Sequence, residues 1–191
     1  MTIQIHQLSL GPMDNFIYII SDTKEAVIID PAWDSQQIIN KLNTLSCQPK
    51  AIWLTHGHHD HTNAIPDLLT HFPNLPIYIS KHEHPTLKPN HPTLIETHPN
   101  QTLTLGKHNF TCLHTPGHTP GGQCFYTQGH LIAGDTLFIN GCGRVDLGSG
   151  NIEDMYHSLH KKITPLPDNT IIYPGHHYGP TPTDTLKNQR Q

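Results

Sequence analysis

Between Thr55 and Thr62 the chain reads Thr-His-Gly-His-His-Asp-His-Thr, placing four imidazoles and one carboxylate at six consecutive positions, 56 to 61. Inside a fold such groups repel and desolvate one another unless a cation holds them. Neutral imidazole nitrogens and carboxylate oxygens are the ligands that zinc and iron take. His56 and His58 flank Gly57, so on an extended segment both side chains face one side. Asp60 and His61 project differently as the chain turns into a helix expected to start near Thr62, leaving room for a second cation. The plainer alternative is a solvated histidine-rich loop that scavenges metal. Against it, the cluster directly follows Ala51-Ile52-Trp53-Leu54, an apolar run that reads as a buried strand, and lies outside any low-complexity tract.

The pattern His-x-His-x-Asp-His after an apolar strand resembles the signature of the metallo-β-lactamase superfamily. That resemblance implies further ligands in order, and each expected context is present. His118 stands in Gly117-His118-Thr119, Asp135 in Gly134-Asp135-Thr136, and His176 after Ile171-Ile172-Tyr173-Pro174-Gly175. By similarity His56, His58 and His118 hold one metal, Asp60, His61 and His176 a second, and Asp135 bridges the two. The implied cofactor is a pair of divalent ions, zinc first, with iron or manganese as substitutes. Such a pair generates a hydroxide nucleophile from water near neutral pH. Asp60 and Asp135 then carry the catalysis, Asp60 by orienting that hydroxide.

Within the superfamily, Leu137 to Asp146 resembles the segment after the bridging Asp in the glyoxalase II (hydroxyacylglutathione hydrolase) branch. There a basic residue following Gly-Cys-Gly approaches glutathione, and Arg144 occupies that position. Arg144, Cys142 and Tyr178 are the expected substrate contacts; the plainer alternative for Arg144 is to tie its own loop through Asp146. The expected activity is hydrolysis of an S-acylglutathione thioester, whose thiolate leaves without a strong general acid because thiol pKa values lie near roughly 8.5. The same segment also resembles the persulfide dioxygenase branch, which binds a single iron through His56 or His58 with His118 and Asp135. Lactonases and tRNA-processing nucleases share the ligands. Class B β-lactamases commonly carry Cys at position 135, which weighs against them, and a metal-sequestering protein is the non-enzymatic reading. Larger glyoxalase II proteins add a C-terminal helical domain with further glutathione contacts, and this sequence departs from them there.

Positioning these residues calls for strands. A chain of 191 residues with 35% hydrophobic content suffices for one core, so one domain over 1–191 is expected. The 17 prolines and 14 glycines favour turns over long helices. Alternating or apolar runs at Ile3–Leu8, Asn15–Ile20, Ala26–Asp30, Ile77–Ile79, Leu103–Leu105, Phe110–Leu113, Gln123–Tyr126, Leu131–Ala133 and Thr170–Tyr173 read as strands. Helices are expected behind an Asp34 N-cap, over Ala64 to Leu69, and behind an Asn151/Asp154 capping box through Met155, Leu159 and Ile163, with a short turn over His82–Leu87. This pattern alone gives mixed α and β. The resemblance sharpens it to an α+β four-layer αβ/βα sandwich with the metal loops along one edge.

Net charge is −4 and no basic run with interleaved aromatics occurs, so nucleic acid is not an expected partner. Of 18 histidines five are expected ligands; the rest, including His6, His71, His82, His84, His91 and His98, read as surface residues. Cys47, Cys112, Cys124 and Cys142 share no Cys-x-x-Cys spacing and read as reduced thiols. With no signal peptide or apolar span at the N-terminus, a cytoplasmic protein without a membrane partner is expected. The polar stretch Gly179 to Thr183 reads as extended, opening an extended tail over about 180–191.

Overall fold

The computed structural model describes residues 2–190; Met1 and Gln191 lie outside the described residues. One six-stranded sheet has the order β1 (Gln4–Leu10), β2 (Asn15–Asp22), β3 (Glu25–Ile29), β4 (Gln48–Trp53), β5 (Ile77–Ser80), β6 (Leu94–Thr97). The second runs from β7 (Thr102–Leu105) through β8 (His108–His114), β9 (Gln123–Thr127), β10 (His130–Gly134) and β11 (Ile171–Pro174) to β12 (Asp184–Thr185). Strand β2 shows why the sheets stack. Its apolar run has both faces buried: Phe16, Tyr18 and Ile20 face the second sheet, while Ile17 and Ile19 face the helices.

Three apolar layers result. Between the sheets Trp53 packs edge-on to Phe110 with ring centroids 5.0 Å apart, and against Phe125 at 5.4 Å. Outside the first sheet lie α1 (Ser35–Leu45), burying Ile38, Ile39 and Leu42, and α3 (Ile65–His71), burying Ile65, Leu68 and Leu69. Outside the second, α4 (Ile152–Ser158) runs into a π-helical turn that buries Ile163 against Leu131 and Ile172. The four-layer αβ/βα sandwich is thus the architecture, and among the described residues the longest regular α-helix is α1, with 11 residues.

Asp34 caps α1 as expected, accepting from the Gln37 N–H at 2.9 Å. Several details differ from the sequence expectation, beginning with β6, a strand that the sequence pattern does not predict. The helix after β4 begins at His59, not near Thr62: α2 (His59–Thr62) starts directly behind an extended His58. The capping box at Asn151 is half formed. Asn151 accepts from Glu153 and Asp154 N–H, but its own N–H donates to Gly117 O at 2.7 Å, hanging α4 from the loop that carries His118. The polar tail is docked, because β12 pairs with β11 and Leu186 is buried under the second sheet.

The buried slab between the sheets sets the spacing of everything at their edge. Truncating its centre, Phe110→Ala, is expected to lower unfolding free energy by about 3–5 kcal/mol, measured by urea denaturation of the metal-stripped protein.

Candidate metal centre

Four loops leave strand ends along one edge of the sandwich. The loop after β4 carries His56 and His58 and runs into α2, which carries Asp60 and His61; the loops after β8, β10 and β11 carry His118, Asp135 and His176. The two sheets are stitched at this edge, where Phe16 N–H donates to Gly175 O at 2.8 Å and Gln123 N–H to Thr55 O at 2.9 Å. Gln123 reinforces the seam by donating to Leu54 O and accepting from Thr97 Oγ1, both at 2.8 Å.

All seven expected ligand residues meet. One ligand atom from each of His56, His58 and His118 falls within 4.8 Å of the other two, and the same holds for Asp60, His61 and His176. Asp135 lies between the sets: Oδ2 is 3.4 Å from His118 Nε2 and from His176 Nε2, and Oδ1 is 3.4 Å from His61 Nε2. A further grouping of Asp30 with His56 and His61 overlaps both.

Hydrogen bonds on the outer side decide what the inner nitrogens present. A carbonyl oxygen only accepts, so His118 Nδ1, 2.7 Å from Arg144 O, carries a hydrogen, as does His176 Nδ1, 2.8 Å from Met13 O. His61 Nδ1 donates to Asp30 Oδ2 at 3.1 Å. Thr55 Oγ1 gives its proton to the same Asp30 oxygen and so accepts from His56 Nδ1 at 3.1 Å. In the neutral ring each of these four histidines therefore turns an Nε2 lone pair inward. His61 Nε2 and His176 Nε2 meet at 3.1 Å, and His58 Nδ1 lies 2.9 Å from His118 Nε2. His56 Nε2 and Asp135 Oδ1 are buried with no hydrogen-bond partner. Converging lone pairs and orphaned acceptors call for positive charge, and divalent cations fit this donor set.

The acids among these rings make the same demand for positive charge. Burial, with His61 adding repulsion, holds His56 well below the usual imidazole value. Burial also opposes charge on His61, yet Asp135, Asp30 and Asp60 outweigh it and raise its pKa to about 9. The same burial is outweighed at His176 by its bond to Asp135. Asp135, despite burial, is held far below the ordinary carboxylate range by His61, His176 and His56.

Sequence reading missed the outer positions. Asp30, 3% exposed, accepts from the Thr55 N–H as well as from the Thr55 hydroxyl and His61. Asn15 donates to Asp60 Oδ2 at 3.0 Å and accepts from Trp33 Nε1 at 2.7 Å. The only local sign is Asp30-Pro31 at the end of β3, which reads simply as a turn. Of the expected substrate contacts, Tyr178 stacks on His176 at 4.6 Å and is 55% exposed, so it walls the centre on the open side. Arg144 donates its guanidinium bidentately to Asp146, with both contacts 2.9 Å and both side chains exposed. Cys142 is exposed, whereas Cys47, Cys112 and Cys124 are buried, and burial pushes Cys112 up to about 12 and Cys124 to about 11. One surplus histidine is not on the surface: His108 is 3% exposed, 3.8 Å from Asp22.

Comparison with known proteins agrees with this geometry. The sequence model of the metallo-beta-lactamase superfamily matches residues 10–176. The chain is 39% identical over 168 residues to the hydroxyacylglutathione hydrolase of Tolumonas auensis, covering 86% of this chain and 62% of that protein. It is 35% identical over 179 residues to the probable polyketide biosynthesis zinc-dependent hydrolase PksB of Bacillus subtilis, covering 93% of this chain and 79% of that protein. The crystal structure of the BLEG-1 B3 metallo-beta-lactamase superposes with a TM-score of 0.83 at 34% identity, covering 97% of this chain and 96% of the other. A B3 metallo-beta-lactamase thus stands among the structures that this chain resembles. Among the described residues no helix is long and apolar enough to cross a membrane.

The outer hydrogen bonds generate a test. Asp30→Asn removes the acceptor that fixes both His61 and Thr55, and metal affinity measured by competition with a chelator is expected to fall about 10–100-fold. Circular dichroism should show the fold intact.

Proposed function

We propose that this chain, which belongs to the metallo-β-lactamase superfamily, is a dinuclear metal-dependent thioesterase acting on S-acylglutathione. The observation that carries the reading is the pairing of two complete ligand triads across one shared carboxylate, Asp135. His56, His58 and His118 would hold one cation, Asp60, His61 and His176 the other, with Asp135 common to both. When bound, two such cations lower the pKa of a shared water toward neutrality and stabilise the charge that develops on the attacked carbonyl.

The chain's own groups then have defined work. Asp60 Oδ2 is occupied by Asn15, which fixes the carboxylate plane. At 18% side-chain exposure against 9% for Asp135, Asp60 is the acid of the centre that solvent reaches, so it orients the attacking water. Hydroxide adds to the thioester carbon, the carbon–sulfur bond breaks, and the thiolate departs to be protonated by solvent. A pKa of roughly 8.5 for the departing thiol removes the need for a dedicated general acid. Phe138 and Tyr178, edge-on at 5.4 Å beside His176, form an apolar wall for the acyl portion. Arg144 exchanges Asp146 for a glutathione carboxylate, a charge-assisted bidentate pair of the same geometry.

Elemental analysis of untagged protein, after loosely held metal is stripped, is expected to find about two divalent ions per chain. S-lactoylglutathione should be cleaved, with glutathione release followed by a thiol reagent. Asp135→Ala should abolish turnover, and Asp60→Ala should lower kcat at least about 10²-fold. Arg144→Ala should raise KM for glutathione conjugates with little change in kcat. A single iron per chain with oxygen consumption on glutathione persulfide would replace this reading with the dioxygenase one, and cleavage of a β-lactam or lactone without thioester turnover would replace the substrate class.

A further inference from the structure

Glu83 is a buried carboxylate that neither triad uses. It is 2% exposed, on the turn after β5, and no lysine or arginine pairs with it among the described residues. Its oxygens are taken up by three donors. Oε2 accepts from the Gly57 N–H at 3.1 Å and from Thr119 Oγ1 at 2.8 Å, and Oε1 accepts from the His84 N–H at 2.9 Å. Gly57 is the residue between His56 and His58, and Thr119 directly follows His118. One carboxylate oxygen thus bonds to both loops that supply the first triad.

Packing leaves these loops no slack at Glu83. A Cβ on Gly57 would lie 2.1 Å from Leu87 O, and a Cβ on Gly121 would lie 2.3 Å from Glu83 Cα. Segment 83–87 is therefore wedged in backbone contact with the His56–His58 loop on one side and the His118 loop on the other. The second triad is held by other means: Asp30 bonds His61, Asn15 bonds Asp60, and Met13 O bonds His176.

We propose that Glu83 is a positioning residue specific to the first metal site, fixing the distance between the His56–His58 pair and His118. This rests on the dinuclear reading above. An amide in its place keeps the volume but turns a donor toward Gly57 N–H and Thr119, or toward His84 N–H, so one buried donor is left facing another. Loss of a hydrogen bond that orients metal-binding loops weakens binding by about 10–100-fold. The loss should fall on one site only.

Cobalt(II) titration of the metal-stripped full chain, followed by its visible d–d absorption and by equilibrium dialysis, reads the two sites as separate binding phases. In the unaltered protein two phases are expected. In Glu83→Gln one phase is expected to weaken 10–100-fold while the other moves less than about threefold. His118→Ala should remove the phase that Glu83→Gln weakens, and His176→Ala should remove the one it spares. Thr119→Val, which deletes one of the donors and keeps the side-chain volume, should weaken the same phase by a smaller factor; it carries the test if Glu83→Gln does not fold. Equal weakening of both phases, or none, overturns the role of Glu83. Fewer than two phases in the unaltered protein overturns the dinuclear reading instead.

Discussion

Imidazole lone pairs aimed at one another are the constraint on which this molecule turns. Four histidines spend their Nδ1 hydrogens on acceptors outside the centre, three of which are a carboxylate or carbonyl that cannot exchange roles. In the neutral rings the remaining nitrogens face inward with nothing to donate, and those of His61 and His176 lie at hydrogen-bond distance from each other. In a low-dielectric interior such an arrangement is unfavourable without positive charge, and the acids interleaved with it make the demand stronger. His61 shows this most plainly, since its neighbours overcome the cost of burying a charge.

The rest of the fold can be understood as the means of holding that arrangement against its own repulsion. No element carries more than a few of the ligands. Loops from both sheets supply them, and the seam through Phe16, Gln123 and Thr55 locks the sheets together at that same edge. The parallel pairing of β10 with β11 brings Asp135 and His176 side by side from positions 41 residues apart in sequence. The aromatic slab around Trp53 fixes sheet separation, so the two halves of each triad meet at one distance only.

Legibility from sequence followed locality. His56, His58, Asp60 and His61 announce themselves because ligand type and spacing are contiguous, and His118, Asp135 and His176 because each ends an apolar run of the expected kind. Strand positions were readable where alternation was strong, as in β2. What stayed hidden depends on distant partners. Asp30 resembles an ordinary turn residue until Thr55 and His61 are brought to it, and Asn15 and Glu83 carry no local mark at all. His108 sits in a polar stretch, His-Asn, yet packs inward because its strand alternation places it beside Phe110 and Cys112, both buried. The helix start at His59 was misplaced because His58 stays extended to serve the first triad, and α2 follows it immediately.

The uneven spread of ligands along the chain also bears on how the protein reaches this state. Four of the seven lie within six residues of one another, whereas the others wait on contacts spanning 60 to 120 positions. A disordered nascent chain therefore already owns a weak chelating peptide, long before the slow non-local pairing of two six-stranded sheets is complete. Metal captured there stabilises the disordered ensemble as well as the finished one, so the ion's net contribution to folding is smaller than its affinity for the mature centre suggests.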